Sequence, residues 1–230
     1  MTHAPPGTYK PWEFIQDQPS EYLALFLATL LSWDSRIRLY NMDTTAATLP
    51  IRQITTPRLL LRAATAEDAT DLYECFSDPE TMRYWSSLPH ASISETETWV
   101  NIKLITPSSG KTDFVIVHQP TKKVIGKIGI WQGTEIGFII GRKYWKQGIA
   151  SECLDQLIPY FFKNGYKIIT ADVDPRNESS LALLRKFGFT ETGREEKTFN
   201  VGGEWSDSVY LALEKVNWDD SQKQQSSKTA

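Results

Sequence analysis

At 230 residues, 40% hydrophobic and 23% charged, the chain has the make-up of an ordinary soluble globular protein. It reads as one domain of roughly 150–170 residues with extensions, since domains commonly run to about 100–200 residues. A formal charge of −3 argues against a nucleic-acid surface, and two distant cysteines, Cys75 and Cys153, argue for core thiols over a disulfide or a nucleophile.

His3, His90 and His118 are scattered without metal-ligand spacing, so no metal is expected. Met1 to Pro11 is proline-rich and has no apolar core of the kind a secretory signal needs. With the thiols this points to a reducing, cytoplasmic location.

Residues 1–19 hold four prolines and a glycine and are expected to be extended or irregular. The apolar run YLALFLATLL at 22–31 is ten residues long, half of the ~20 that a bilayer span takes. It reads as a short helix docking on the domain, with a membrane-surface anchor as the other reading. A polar linker, NMDTTAATLP at 41–50, closes this appendage, so residues 1–53 stand apart from a domain at 54–216.

In that domain RLLLRAA (58–64) is a first strand. A helix follows from about Ala66, with Thr65 as N-cap and Asp68 three residues on. Asp78-Pro79 turns the chain toward a second helix, Ser94 to Ile105, and residues 107–110 form a loop. TDFVIVHQ (112–119) and KVIGKIGIWQ (123–132) pair as strands across a turn at 120–122. The run EIGFII from Glu135 is a further strand, stopped by Gly141, and Gly148 opens an amphipathic helix reaching Asn164-Gly165.

KIITADVD (167–174) is nearly all apolar and is expected to be covered on both faces. A helix from Ser179 to Phe187 ends at Gly188, and strands at 189–199 and 205–214 flank Val201-Gly202-Gly203. Residues 217–230 read as a disordered tail, because nothing after Trp218 has apolar surface to bury. The order of elements gives an α+β sandwich with a mixed sheet.

The stretch 135–154 organises the chemistry. A strand feeding a helix through a glycine turn aims several unpaired N–H groups and the positive helix end at one point, which suits a phosphate or pyrophosphate. Ile149, Cys153, Leu154, Leu157, Ile158 and Phe161 form the buried face of that helix. Gly126, Gly129 and Gly133 lack the G-x-G-x-x-G spacing and its βαβ setting, which leaves a nicotinamide dinucleotide unsupported.

Four ordered segments resemble the GNAT superfamily of acyl-CoA N-acetyltransferases, in its RimJ/RimL-like branch. They are ITTPRLLLR (54–62), TEIGFII with GRKYWKQGIASECL (134–154), DVDPRNESSLALLRKFGF (172–189) and GEWSDSVY (203–210). The resemblance implies the GNAT fold: a mixed, mostly antiparallel sheet of six to seven strands with helices on both faces. It also implies acetyl-CoA as donor and an amine as acceptor, with no nucleic acid, no membrane span and a monomer or homodimer. The family's phosphate pattern falls on Trp145, Lys146, Gln147, Gly148, Ile149 and Ala150, with Trp145 replacing the usual leading Gln or Arg.

The grip would come from N–H groups of Ile149, Ala150 and Ser151, with Lys146 either adding charge or simply solvated. Asn177 is read as a CoA contact, as the N-cap of the next helix, or as both, with Ser180 one turn on. Backbone groups of the strand at Phe138, Ile139 and Ile140 would receive the pantetheine arm and the oxyanion.

Direct attack of an amine on the thioester expels a thiolate of pKa about 8.5, which needs little help from an acid. Leu184 stands where many GNAT enzymes carry a tyrosine acid, and Ser180 is the nearest substitute. The amine must arrive neutral, so a base matters, and Glu135 is the choice, unless it merely begins a strand. Asp207 and Glu204 are further candidates. Tyr84, Trp85 and Trp205, with Trp99, fall where the family builds its acceptor pocket, although for any single one of them core packing is the leading reading. The competing reading is a catalytically silent acyl-CoA-binding module of the same fold.

Overall fold

Alternation of apolar residues sets the strands, and a computed structural model describes residues 53–106 and 111–221 of the chain. The expected helix at 22–31, the linker at 41–50 and the loop 107–110 lie outside the described residues. Strands β1 (Ile54–Thr55), β2 (Leu59–Arg62), β3 (Thr112–His118), β4 (Lys123–Gln132) and β5 (Glu135–Ile140) come first. Then follow β6 (Ile168–Val173), β7 (Thr190–Val201) and β8 (Glu204–Glu214). They make one eight-stranded sheet in the order β1-β2-β3-β4-β5-β6-β8-β7. The six to seven strands expected become eight because Ile54–Thr55 pairs with Leu60 and Leu61 ahead of the first predicted strand.

Every neighbouring pair is antiparallel except β5 and β6. Helices α1 (Ala69–Phe76), α2 (Pro79–Met82) and α3 (Ile93–Trp99) precede β3, while α4 (Ile149–Lys163) and α5 (Glu178–Lys186) flank β6. Alternation splits the core in two. Phe114 and Ile116 of β3 join α4 and α5 in one cluster, whereas Val115 and Val117 join α1, Val100 and Leu104 in the other. Helices therefore cover both faces.

The buried face of α4 is the one expected, Ile149 to Phe161, with Phe162 added. Each fully buried side chain of this size contributes roughly 1.5–3 kcal/mol, more than a helix of this length gains alone. The helix from Ser94 to Ile105 is instead two pieces. After α3 the turns widen over Val100–Ile105, where Thr106 N–H reaches five residues back to Asn101 O (2.9 Å). The start of α1 is held as expected, with Thr65 N–H donating to Asp68 Oδ2 at 2.8 Å, although the first turn is a tight 3-10 segment at Ala66–Asp68.

β6 alternates more than its apolar content suggests. Ile169, Ala171 and Val173 are buried, while Ile168, Thr170 and Asp172 are only partly so, because α4 and α5 cover one face of the strand. Secondary structure continues past 216. Residues 215–221 are helical, and Trp218 packs against Phe162 with ring centroids 6.4 Å apart. The rest of the expected tail lies outside the described residues. Cys75 and Cys153 are buried thiols; burial pushes Cys75 up to about 12 and Cys153 higher still. Among the described residues, no helix is long and apolar enough to cross a membrane.

Candidate active site

The side expected to take the donor is built from backbone. β5 ends at Gly141, whose N–H donates to Ile125 O at 2.8 Å. Counting back in register, the amides of Gly137 and Ile139 also face β4, while those of Ile136, Phe138 and Ile140 face the β6 side. β6 meets β5 at a single register pair, Glu135 with Thr170. Past that pair the ladder stops, and the amides of Phe138 and Ile140 edge a gap between two strands of one sheet. Ile139 points its amide the other way and is buried against the cluster of α1 and α3.

The chain then turns sharply. Trp145 Nε1–H donates to Ile140 O (2.6 Å), which ties the turn to the end of the strand. Gly148 caps α4 with φ 75° and ψ 10°, a left-handed conformation that a side chain resists. Lys146 also has positive φ, at 58°. The first intrahelical bond is Glu152 N–H to Gly148 O (3.0 Å), so the amides of Ile149, Ala150 and Ser151 lie ahead of it and point out of the helix end. Gln147 spends its side chain within the turn, donating to Lys143 O at 2.8 Å. Asn177 is the N-cap of α5, its Oδ1 accepting from Ser180 N–H at 3.2 Å. The cap occupies that oxygen and leaves the Nδ2 donors to meet a ligand, so both roles read from the sequence are compatible.

The side expected to take the acceptor is built from side chains. Glu135, Gly137 and Ile139 share the face of β5 that looks toward α1 and α3. Trp131 Nε1–H donates to a Glu135 oxygen at 2.9 Å. A Cβ placed on Gly137 would stand 3.9 Å from Lys127 Nζ, 3.9 Å from the Trp85 ring and 4.0 Å from Trp131, so three side chains converge two residues from Glu135. Lys127 is itself buried and paired with Asp113 at 3.1 Å, its ammonium 5.4 Å from the centre of the Trp85 ring.

Tyr84 is the more exposed neighbour, and Arg176 lies over it at 5.9 Å while pairing with Glu204 at 2.6 Å and with Asp174. A Cβ on Gly202 would come 3.0 Å from Leu88 Cδ2, which brings the loop after α2 to the β7–β8 hairpin. Trp205 stands half exposed beside Glu204. Trp99 is packed edge-on against Phe76 at 4.6 Å, a core role. Asp207 accepts from Lys197 N–H (2.9 Å) and so holds the irregular part of the hairpin. Leu184 is fully buried and offers no acid.

A family model described as the acetyltransferase (GNAT) domain matches residues 58–190, which include the open strand, the turn and both flanking helices. The chain belongs to the GNAT acetyltransferase family. Among its relatives is the uncharacterized N-acetyltransferase p20 of Bacillus licheniformis, 33% identical over 60% of this chain and 82% of that one. The ribosomal protein uS5-alanine N-acetyltransferase of Escherichia coli is 25% identical over 74% of this chain and 94% of its own. A similar fold is seen in spermidine N-acetyltransferase from Vibrio cholerae in complex with CoA and spermine. That structure has a TM-score of 0.61 at 22% identity, over 71% of this chain and 99% of the other.

Beside the candidate site of this GNAT family member lie four residues that sequence reasoning did not single out. Trp131 and Lys127 sit on a strand read only as a strand, and their approach to Gly137 depends on register with β5. Thr56 and Arg58 belong to the first matched segment. They reach α4 across 96 and 94 residues, a contact that no local pattern announces. Among the described residues, no cluster of three or more metal-ligand side chains accompanies this GNAT site.

Proposed function

We propose that the protein transfers an acetyl group from acetyl-CoA to a primary amine, by direct attack within a ternary complex. The observation that carries this reading is the open β5 edge lying beside the left-handed glycine turn. In it the pyrophosphate sits on the amides of Ile149, Ala150 and Ser151, with Lys146 and Gln147 at its rim. The pantetheine arm pairs with the edge at Phe138 and Ile140, and Asn177 and Ser180 line its other wall. The thioester oxygen is received by an amide of that edge, where a preorganised donor contributes most as charge develops.

Glu135, steered by the Trp131 indole, takes a proton from the acceptor's ammonium, and the neutral amine then attacks the thioester carbonyl. The thiolate leaves without a dedicated acid. Trp85 and Tyr84 bound the acceptor, with Trp205 at the hairpin tip. The aromatic lining, together with the closure of Leu88 against Gly202, favours a small amine over a long peptide.

Thiol release from acetyl-CoA across a panel of small amines, polyamines and N-terminal peptides tests the reaction. Turnover is expected with at least one small amine, and CoA binding without turnover on any acceptor sinks the proposal in favour of a silent CoA-binding module. For the base, Glu135→Gln is expected to lower kcat/KM by about 100-fold and to remove the acidic limb of the pH profile. A variant profile that overlays the wild type places the base elsewhere.

A further inference from the structure

One cluster near the turn serves neither the helix cap nor the acceptor side. Arg58, at the head of β2, makes four polar contacts that converge on the start of α4. Its Nη1 donates to Gln147 O (2.8 Å), the carbonyl that immediately precedes Gly148. Its Nε and Nη2 grip Glu152 Oε2 at 2.7 and 2.6 Å, and its backbone N–H donates to Oε1 at 3.2 Å. Thr56 Oγ1 donates to the same Oε1. A Cβ at Gly148 would lie 3.6 Å from Arg58 Nη2, so the guanidinium lies directly against the left-handed residue.

Two physical consequences follow. The turn holds two positive-φ residues, Lys146 and Gly148, in a span of three, and for the lysine this is a conformation kept only when its surroundings over-determine it. The bond to Gln147 O is such a constraint, applied between the two. Glu152 also puts a carboxylate in the first turn of α4, beside the amides read as the anion site, where a second negative charge opposes the first. A guanidinium with both Nε and Nη2 on one carboxylate oxygen neutralises that carboxylate and turns it toward β2.

We infer that Arg58 is a positioning residue for the pyrophosphate: by holding the Gln147 carbonyl and the Glu152 carboxylate together, it keeps the turn's amides converged and the carboxylate's charge out of the anion site. The inference rests on the reading of this turn as the CoA pyrophosphate site. Lysine cannot serve equally, since one ammonium does not span the two acceptors in the fork geometry seen here.

The test is calorimetric titration of coenzyme A into the full-length wild type, Arg58→Met and Arg58→Lys, with thermal melting of each free protein. Affinity is expected to fall about tenfold in Arg58→Met and about threefold in Arg58→Lys, since charged hydrogen bonds are lost in full or in part. A role confined to folding lowers the melting temperature and leaves affinity alone. Arg58→Met that is folded and binds within twofold of wild type overturns the inference, as does a lysine variant no better than methionine. Should Arg58→Met not fold, Arg58→Lys carries the test, and wild-type affinity there overturns it. Wild type that does not bind coenzyme A removes the functional reading itself, an outcome distinct from failure of Arg58 alone.

Discussion

The two sides of β5 are made of different material. Toward α4 the site consists of main-chain groups: the Phe138 and Ile140 edge, the amides at 149–151, and a glycine held at φ 75°. Toward α1 it consists of side chains, with Glu135, Trp131, Trp85 and a buried Lys127–Asp113 pair around Gly137. Main-chain donors suit a ligand portion that is the same in every reaction, because almost any side chains can carry them. Side chains suit the portion that changes, because one substitution alters size or charge there without disturbing the sheet. On this view relatives can share a donor site and still differ in acceptor. The division should appear when each side is damaged separately.

The largest effect is expected from the acceptor side. Lys127 and Asp113 are each only 3% exposed. Lys127→Met leaves a carboxylate buried without its partner, which costs about 3–5 kcal/mol of folding stability in chemical denaturation. Replacing both, Lys127→Met with Asp113→Leu, is expected to recover most of that loss, since a buried pair contributes little beyond a well-packed apolar one. A double variant as unstable as the single one would show that the pair shapes the pocket floor in a way apolar packing cannot.

On the donor side, Gly148→Val places its Cβ 3.6 Å from the nearest atom, an ordinary contact. Its cost is conformational. A β-branched residue resists positive φ by about 2 kcal/mol, so CoA affinity is expected to fall roughly thirtyfold if the strain is relieved by moving the turn. Unchanged affinity with a lower melting temperature would mean that the turn absorbs the strain without moving its amides.

Asn177 separates cap from ligand contact. Aspartate caps a helix as well as asparagine does, so Asn177→Asp is expected to keep stability within a few tenths of a kcal/mol. The same change replaces an Nδ2 donor by a carboxylate beside a polyanion, and CoA binding is expected to weaken about tenfold. Equal affinity would assign Asn177 to capping alone.

The same division governs what could be read from the sequence. Backbone devices mark the residue types they need: a glycine where φ is positive, an asparagine at a helix start, a β-branched run stopped by Gly141. Residues 135–154 and 172–189 were legible for that reason. Lys127 was not, because an inward lysine on β4 has no local sign, and its partner Asp113 is fixed only by pairing of β3 with β4. Arg58 was hidden for a similar reason, as its two acceptors lie 89 and 94 residues away. Lys146 departs from the rule that positive φ announces itself, since the turn holds it there without a glycine. The single register pair between β5 and β6 leaves no sequence mark either. It is the absence of a ladder between two ordinary strands.

Acidification should separate the two sides with the smallest effect and no mutation. His90 links α1 and α3 on the acceptor side: its N–H donates to Phe76 O (2.8 Å) and its Nδ1 lies 2.8 Å from Thr96 Oγ1. Burial holds its pKa below the usual histidine value, against an opposing pull from Glu95. The unfolded chain therefore binds the proton first, near pH 6.5, and the stability His90 contributes above that point is lost as pH falls toward its folded value. On the donor side, burial pushes the Glu152 carboxyl up, but hydrogen bonds from Thr56 and Arg58 and the guanidinium charge outweigh it, and its pKa ends below the ordinary range. That contribution is complete above the unfolded carboxylate value of about 4.3 and is lost only below it. Hydrogen exchange at pH 5.5 should accordingly loosen residues 82–105 relative to pH 7.5, while residues 146–163 keep their protection. Equal loosening of both segments would mean that the sheet transmits the strain, and that the two sides of β5 do not open independently.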